Sequence, residues 1–346
     1  MKRLALAFSL VFILLCLLSS LGFYHFSRTF TERGSLSTDR LLSIPQGATL
    51  NEISRLLEKE GIIKDAFVFY WGARLKGDGG RLQAGEYEFK AAMSPQDVLA
   101  LLVSGKVYQH KYTAAEGLTS EKIIEQIKAL EPLVGDIARI PEEGALLPET
   151  YLFSRGETRQ KLVNRMTAAR NALLETLWRN RPSQCPFHTQ EEAVVLASIV
   201  EKETALAQER PLIAAVFLNR LRKQMPLQSD PTVVYVLYKE KAYSLNHGLS
   251  KADLGYESPY NTYLHKGLPP TPICNPGKAS LKAVFYPALS DALYFVADGT
   301  GGHIFSETLK MHQVNHAKWR KIRKELKKEQ LSSMIISGAI LEGEGN

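Results

Sequence analysis

The sequence predicts an α+β protein carried behind one long apolar N-terminal helix. Three observations predict it. Leu4 to Phe23 holds no charged residue. Helix-start signals recur along the chain, at Thr49 with Glu52, Ser94 with Pro95, Thr189 with Glu192, and Pro211. Between them lie short strand-like stretches, Leu41–Ile44, Gly85–Phe89 and Leu293–Ala297. With 346 residues the chain has room for two domains and a sizeable core.

As a helix, the charge-free run is about 30 Å long, enough to cross a bilayer. Lys2 and Arg3 precede it, so the expected topology is a cytoplasmic N-terminus (residues 1–3), a single-pass anchor (4–23), and the rest outside the cytoplasmic membrane. The run is longer than a usual signal-peptide core and lacks an Ala-x-Ala site, which favours an anchor over a cleaved leader. Polar residues 24–40 read as a linker, most plainly from Ser27 to Asp39.

Residues 41–107 read as a small α+β unit. Leu41–Ile44 is a strand, and Thr49 and Glu52 open a helix that stops at Gly61. A second helix spans Phe67 to Leu75, Gly85–Phe89 alternates as a strand, and Ser94-Pro95 starts a helix that ends at Gly105. The larger domain is expected over residues 108–330. Gly117-Leu118-Thr119 repeats the turn-then-helix pattern of Gly47-Ala48-Thr49, and Gly144–Phe153 is a turn running into a strand-like segment. A long helix follows from Glu157 to Asn180, ended by Arg181-Pro182.

The densest signal lies next. A capping box at Thr189 and Glu192 opens a helix whose residues Ala193–Val200 are apolar except Ser198, a pattern for burial on all sides. Its polar residues, Glu201-Lys202-Glu203-Thr204, come at the far end. The negative end of the helix dipole and burial both favour a protonated carboxyl, the state a general acid needs. The alternative is a pair of solvated end-of-helix charges. Two residues apart on a helix is about 200° of rotation, so Glu201 and Glu203 face opposite ways and one cleft receives only one of them.

Pro211 starts the next helix, running to Lys223, and Leu227–Thr232 is a polar turn whose Gln228 and Asp230 could hold sugar hydroxyls or N-acetyl groups, or simply turn the chain. Ser258–Gly277, with five prolines, reads as an ordered loop. In it Tyr260, Asn261 and Tyr263 suit a sugar cleft: rings lie on the apolar faces of pyranoses and the amide reads polar edges. After the strand Leu293–Ala297, Asp298-Gly299 begins a turn, His312–Gln330 reads as a basic helix, and 331–346 as a flexible tail.

The net charge of +7 is no nucleic-acid signature. Seven Lys or Arg against two Glu between His316 and Gln330 supply +5 of it, so the rest is nearly neutral. That helix presents either a solvated face or one suited to anionic lipid headgroups. Three cysteines include no Cys-x-x-Cys; Cys185 and Cys274 are read as free thiols rather than a pair. His312 and His316 are spaced i,i+4 without a His-Glu-x-x-His motif, so no metal is expected.

Leu196–Thr204, Val216–Leu221 and Met225–Thr232, continued by Tyr260–Tyr263, Gly267–Pro270 and Phe295–Gly299, resemble the motifs of the endolytic murein transglycosylase family, in order, over roughly residues 41 to 320. The resemblance implies a LysM-like subdomain at 41–107 and a membrane-anchored lyase acting on peptidoglycan glycan strands without a cofactor. It implies Glu201 as the acid that protonates the glycosidic oxygen and then accepts the proton of the muramic C6 hydroxyl. Gln228, Asp230, Tyr260 and Asn261 are candidates for holding the glycan, and peptidoglycan synthases are expected partners. Two alternatives stay open: a muramidase that uses water with Glu149 or Asp230 as its base, and a peptidoglycan-binding scaffold without activity.

Overall fold

The computed structural model describes residues 2–241 and 249–343. In chain order the elements are α1 (Lys2–Thr31), β1 (Arg40–Ile44), α2 (Leu50–Lys59), α3 (Ala66–Leu75), β2 (Gly85–Phe89), α4 (Pro95–Ser104), β3 (His110–Thr113), α5 (Ser120–Lys128) and β4 (Thr150–Phe153). Then come α6 (Arg159–Arg179), α7 (Gln190–Glu203), α8 (Arg210–Arg222), α9 (Asp230–Lys241), α10 (Lys251–Leu254), α11 (Lys278–Phe285), β5 (Tyr294–Ala297), β6 (His303–Ser306) and α12 (Leu309–Gly343). Strands pair only in twos among the described residues, β1 with β2, β3 with β4 and β5 with β6, which makes the protein α+β.

The chain divides into two compact units. The first comprises Met1–Tyr112 with Pro132–Val134 and Leu152–Glu157; the second comprises Thr113–Glu131, Gly135–Tyr151 and Thr158–Asn346. The sequence placed the division at 107/108 and gave the two short return segments to the larger domain. They return because they are tied by backbone bonds, Gly156 N–H to Pro132 O and Val134 N–H to Glu157 O, and by Arg155, whose Nε meets Glu86 at 2.7 Å.

In the first unit β1 and β2 pair antiparallel, with Arg40 opposite Phe89 and Ile44 opposite Gly85. The helix caps are those the sequence announces. Thr49 and Glu52 form a capping box, as do Ser94 and Asp97, and Gly105 closes α4 in the left-handed region that only glycine enters without cost. Leu57, Phe69, Tyr87, Phe89 and Leu102 are fully buried between sheet and helices. The linker expected over 24–40 begins later than expected. Residues 24–31 continue α1, because no Gly or Pro interrupts them and Phe26 and Phe30 stack one turn apart. Phe30 is buried against Gly72 of α3, where any Cβ would fall within 2.2–2.7 Å of its ring. From Leu6 to His25 α1 is exposed, and from Leu6 to Thr31 it is long and apolar enough to cross a membrane.

The second unit is built around α7. Ala193 to Glu201 are all buried, with α8, α9 and α11 packed on the helix and α6 against α11. Phe217, Phe285, Leu174 and Tyr235 complete this core. β5 and β6 form a hairpin whose turn is held by Asp298, which accepts the N–H groups of Thr300 and Gly302. Helix α12 lies on this hairpin through the stack of His312 on Tyr294. It runs on to Gly343, past the expected end at Gln330, since no proline follows to stop it. Residues 344–346 of the expected tail lie outside the described residues. The polar turn expected over 227–232 is shorter than that: Gln228 turns the chain with φ +52°, and Asp230 already begins α9. Cys185 and Cys274 are free.

Candidate active site

Helix α7 starts where the sequence places it. The Thr189 hydroxyl accepts the Glu192 N–H, and Glu192 bonds back to the Thr189 backbone. Its one polar interior residue, Ser198, has a defined task. Its hydroxyl accepts the Ile273 N–H at 3.0 Å, and its carbonyl meets the Cys274 thiol. The end of the proline-rich loop is thereby clamped along α7.

That clamp delivers Gly277 to Glu201. The Gly277 N–H, at the N-cap of α11, donates to Glu201 Oε2 at 2.8 Å. On the other oxygen, Arg210 Nη2 donates to Oε1 at 2.8 Å and also reaches Glu116 Oε2 at 3.0 Å. Glu201 and Arg210 side chains are 4% and 7% exposed, whereas that of Glu116 is 40% exposed and opens the site to solvent. Burial pushes the Glu201 carboxyl above its ordinary value. The Gly277 N–H and Arg210 pull it down, and the Glu116 charge pushes it up again. The helix ends oppose each other in the same way: the C-terminus of α7 disfavours an anion, and the N-terminus of α11 favours one. Each Glu201 oxygen accepts one of these bonds and keeps a second lone pair for a substrate proton. Arg210 Nε is buried with no partner among the described residues, which leaves one more donor here. Ser280 Oγ, also buried, faces the same carboxylate without reaching hydrogen-bond geometry.

Two further contacts set the positions of Arg210 and Glu116. Glu209 accepts the backbone N–H and Nδ1 of His303, each at 2.7 Å, and the Thr204 hydroxyl, which fixes the start of α8. Asn275, fully buried, ties 116–120 to the loop: its amide nitrogen donates to Leu118 O and Ser120 Oγ, and its oxygen accepts the Leu146 N–H. The approach is close enough that a Cβ at Gly277 would lie 1.8 Å from Glu116 Oε1.

Glu203 faces the other way, as the helix geometry requires. It accepts the Ser229 hydroxyl, and burial pushes it up to about 7, with the nearby Asp230 charge adding to the rise. Asp230 in turn accepts the Tyr263 hydroxyl. The structure therefore groups Glu201 with Glu116, Arg210 and Gly277, and Asp230 with Glu203. Gln228 sits beside this second group with its side chain exposed. Tyr260 is half-buried, its ring 5.2 Å from that of Tyr235 and its hydroxyl on Thr271. Asn261 differs from expectation. It is fully buried, its amide donates to Leu254 O and Tyr256 O, and its oxygen accepts the Tyr263 N–H, so it pins the loop and presents no polar edge outward. Glu149 is exposed.

The sequence reading missed Glu116, Arg210 and Asn275. Arg210 had one signal, its place just before a helix-starting proline with acidic Glu209 ahead of it. Glu116 and Asn275 sit in turns whose partners are far along the chain, and spacing gives no hint of them.

The sequence profile of the YceG-like family matches residues 42–318. The endolytic murein transglycosylase of Bacillus subtilis (strain 168) is 33% identical over 314 residues, covering 81% of this chain and 84% of that protein. Its counterpart in Streptococcus pneumoniae (strain D39) is 30% identical over 309 residues; the match takes in 76% of this chain and 55% of the longer pneumococcal protein. The crystal structure of a YceG-like protein from Listeria monocytogenes shares 31% identity at a TM-score of 0.50, covering 80% of this chain and 98% of that one. With the profile matched across most of its length and a relative one-third identical over four-fifths of it, the chain belongs to the YceG-like family.

Proposed function

We propose that this protein is a membrane-anchored lytic transglycosylase, a lyase that cuts the β-1,4 bond between N-acetylmuramic acid and N-acetylglucosamine in peptidoglycan. The observation that carries the reading is Glu201, buried at the end of α7 between Arg210 and the Gly277 N–H and pushed toward its protonated form by burial. Protonated Glu201 donates to the glycosidic oxygen, and the bond to muramic C1 breaks with oxocarbenium character. The resulting carboxylate then takes the proton of the C6 hydroxyl as that oxygen bonds to C1. The products are a 1,6-anhydromuramic end and a free GlcNAc 4-hydroxyl; no water is consumed, and Glu201 ends protonated as it began.

Glu116 stands where a negative charge steadies the developing cation. Glu116 and Glu201 share one arginine nitrogen at 3.0 and 2.8 Å, so their bonded oxygens are at most 5.8 Å apart. An inverting hydrolase needs roughly 6.5–9.5 Å between its carboxyls to seat a water. That spacing does not suit an inverting water held between these two carboxyls. Of the two bases the water-using alternative names, Asp230 faces Glu203 and Glu149 is exposed.

Residues 258–277 run from the Tyr263–Asp230 contact to Gly277 at Glu201, so a glycan strand along this loop would meet both ends. Gln228, Asp230 and Tyr260 then hold sugars away from the cut, with Asn261 acting through the loop. Helix α1 is the anchor: within Leu6–Thr31 an 18-residue window has a mean hydropathy of 2.5, and Lys2 and Arg3 keep its start in the cytoplasm. The tether confines cutting to glycan near the outer face of the cytoplasmic membrane, where nascent strands emerge and synthases are the natural neighbours.

The test is digestion of purified peptidoglycan by the full-length protein in detergent, wild type against Glu201→Gln, with released ends weighed by mass spectrometry. Anhydro ends are expected from wild type, falling by about 10²–10⁴-fold in the variant. Reducing ends from wild type would overturn the reading.

A further inference from the structure

Beside the Glu201 site, within the same unit, lies a cavity of about 300 Å³ lined by Thr119, Glu121, Glu143, Tyr235, Tyr238 and Lys239. This is the lower end of the size that takes small ligands. Its lining is unusual in that opposite charges face it without pairing. No ion pair joins Lys239 to Glu121 or Glu143 among the described residues. Lys239 Nζ donates to the Tyr235 hydroxyl at 3.0 Å, which uses one of its three N–H groups. Glu143 Oε2 accepts the Ser120 N–H at 2.9 Å, so the carboxylate is fixed in place. The Tyr238 ring is half exposed at the rim, whereas Tyr235 is buried and backed by Tyr260.

The cavity is close to the acid. A Cβ on Gly117 would lie 3.5 Å from Glu201 Cγ, and Thr119 at the cavity wall is only two residues on. Two residues of chain span at most about 7 Å. A muramic sugar at Glu201 would therefore have its lactyl substituent within reach of the cavity. Charges of both signs facing one cavity suit a ligand that carries both signs itself better than neutral N-acetyl sugars. The peptide stem carried by that lactyl group has free carboxylates for Lys239 and a diamino-acid ammonium for Glu143 and Glu121, with tyrosine rings to cover its aliphatic parts.

We infer that the cavity between the start of α5 and helix α9 is a peptide-stem subsite, through which the enzyme selects glycan carrying stems over bare glycan. The inference rests on the peptidoglycan reading for its ligand class.

Two measurements on the full-length protein in detergent test it. The first is calorimetric titration with a free stem tetrapeptide of L-Ala, γ-linked D-Glu, a diamino acid and D-Ala. Wild type binds it; Lys239→Ala weakens binding about tenfold, the factor carried by one lost charge-assisted hydrogen bond, and Lys239→Arg restores most of it. The second is the ratio of cleavage rates on stem-bearing glycan and on glycan stripped by an amidase. That ratio falls about tenfold in Lys239→Ala, and also falls in Tyr238→Ala, where an exposed ring is removed without touching the core. No tetrapeptide binding by wild type, or an unchanged ratio in both variants, would overturn the subsite. If wild type cuts neither glycan, the transglycosylase reading fails instead, and the titration still decides the cavity.

Discussion

Replacing Arg210 with methionine separates what this residue does for stability from what it does for the acid. Arg210→Met keeps the length and apolar stem but leaves Glu201, 4% exposed in its side chain, without its cation. Breaking a buried pair from one side costs about 3–5 kcal/mol while the remaining group is charged. For a unit of about 200 residues each kcal/mol is worth roughly 2–4 °C, so the second unit should melt about 10 °C lower at pH 8. The pH dependence carries the sharper test. Burial already raises the Glu201 carboxyl, and losing the arginine raises it further. A carboxyl raised above its unfolded value contributes stability below that value and loses it as pH rises through the folded one. Glu201 in the variant therefore stays neutral further up the pH scale and misses the cation less at pH 5 than at pH 8. Differential scanning calorimetry of the full-length protein at the two pH values reads this directly. The basic limb of the pH–rate profile, which reports loss of the acid's proton, should move to higher pH in the same variant. A melting shift equal at pH 5 and pH 8, or one under about 2 °C at pH 8, would refute the account of Glu201 as a buried, arginine-held acid.

Other substitutions probe the rest of the design. Gly277→Ala meets no backbone strain at φ −75°, yet its Cβ would displace Glu116 from Arg210; we expect a rate loss of about tenfold to a hundredfold on peptidoglycan with nearly unchanged melting. Glu203→Gln keeps a partner for Ser229 and removes the titration; since Glu203 is pushed up to about 7, wild type should lose about 3 kcal/mol relative to the variant as pH rises from 4.5 to 8, measured by denaturant unfolding. Phe30→Ala empties the contact with Gly72 and should cost the first unit about 3–4 kcal/mol, seen as a lower first calorimetric transition with the second unmoved.

Local chemistry made much of this protein legible from its sequence. Capping boxes at Thr49, Ser94 and Thr189, the glycine stop at Gly105 and the apolar run of α7 each act within a few residues, so they survive as written. Helical rotation alone separates Glu201 from Glu203, and the hydropathy of the first helix needs no fold to be read. At the end of α7 the sequence left open a buried carboxyl or a pair of solvated charges; Glu201 is buried, and burial is what raises it most. Tertiary structure decided what stands around Glu201. Glu116 and Arg210 are 94 residues apart and meet only because Asn275, clamped with its loop along α7 by Ser198, ties the 116–120 turn in place. The same folding took Asp230 to the Glu203 side and set Phe30 against Gly72. Those outcomes depend on contacts between distant segments, whose closing free energy is spread over the whole core, and no local pattern encodes them.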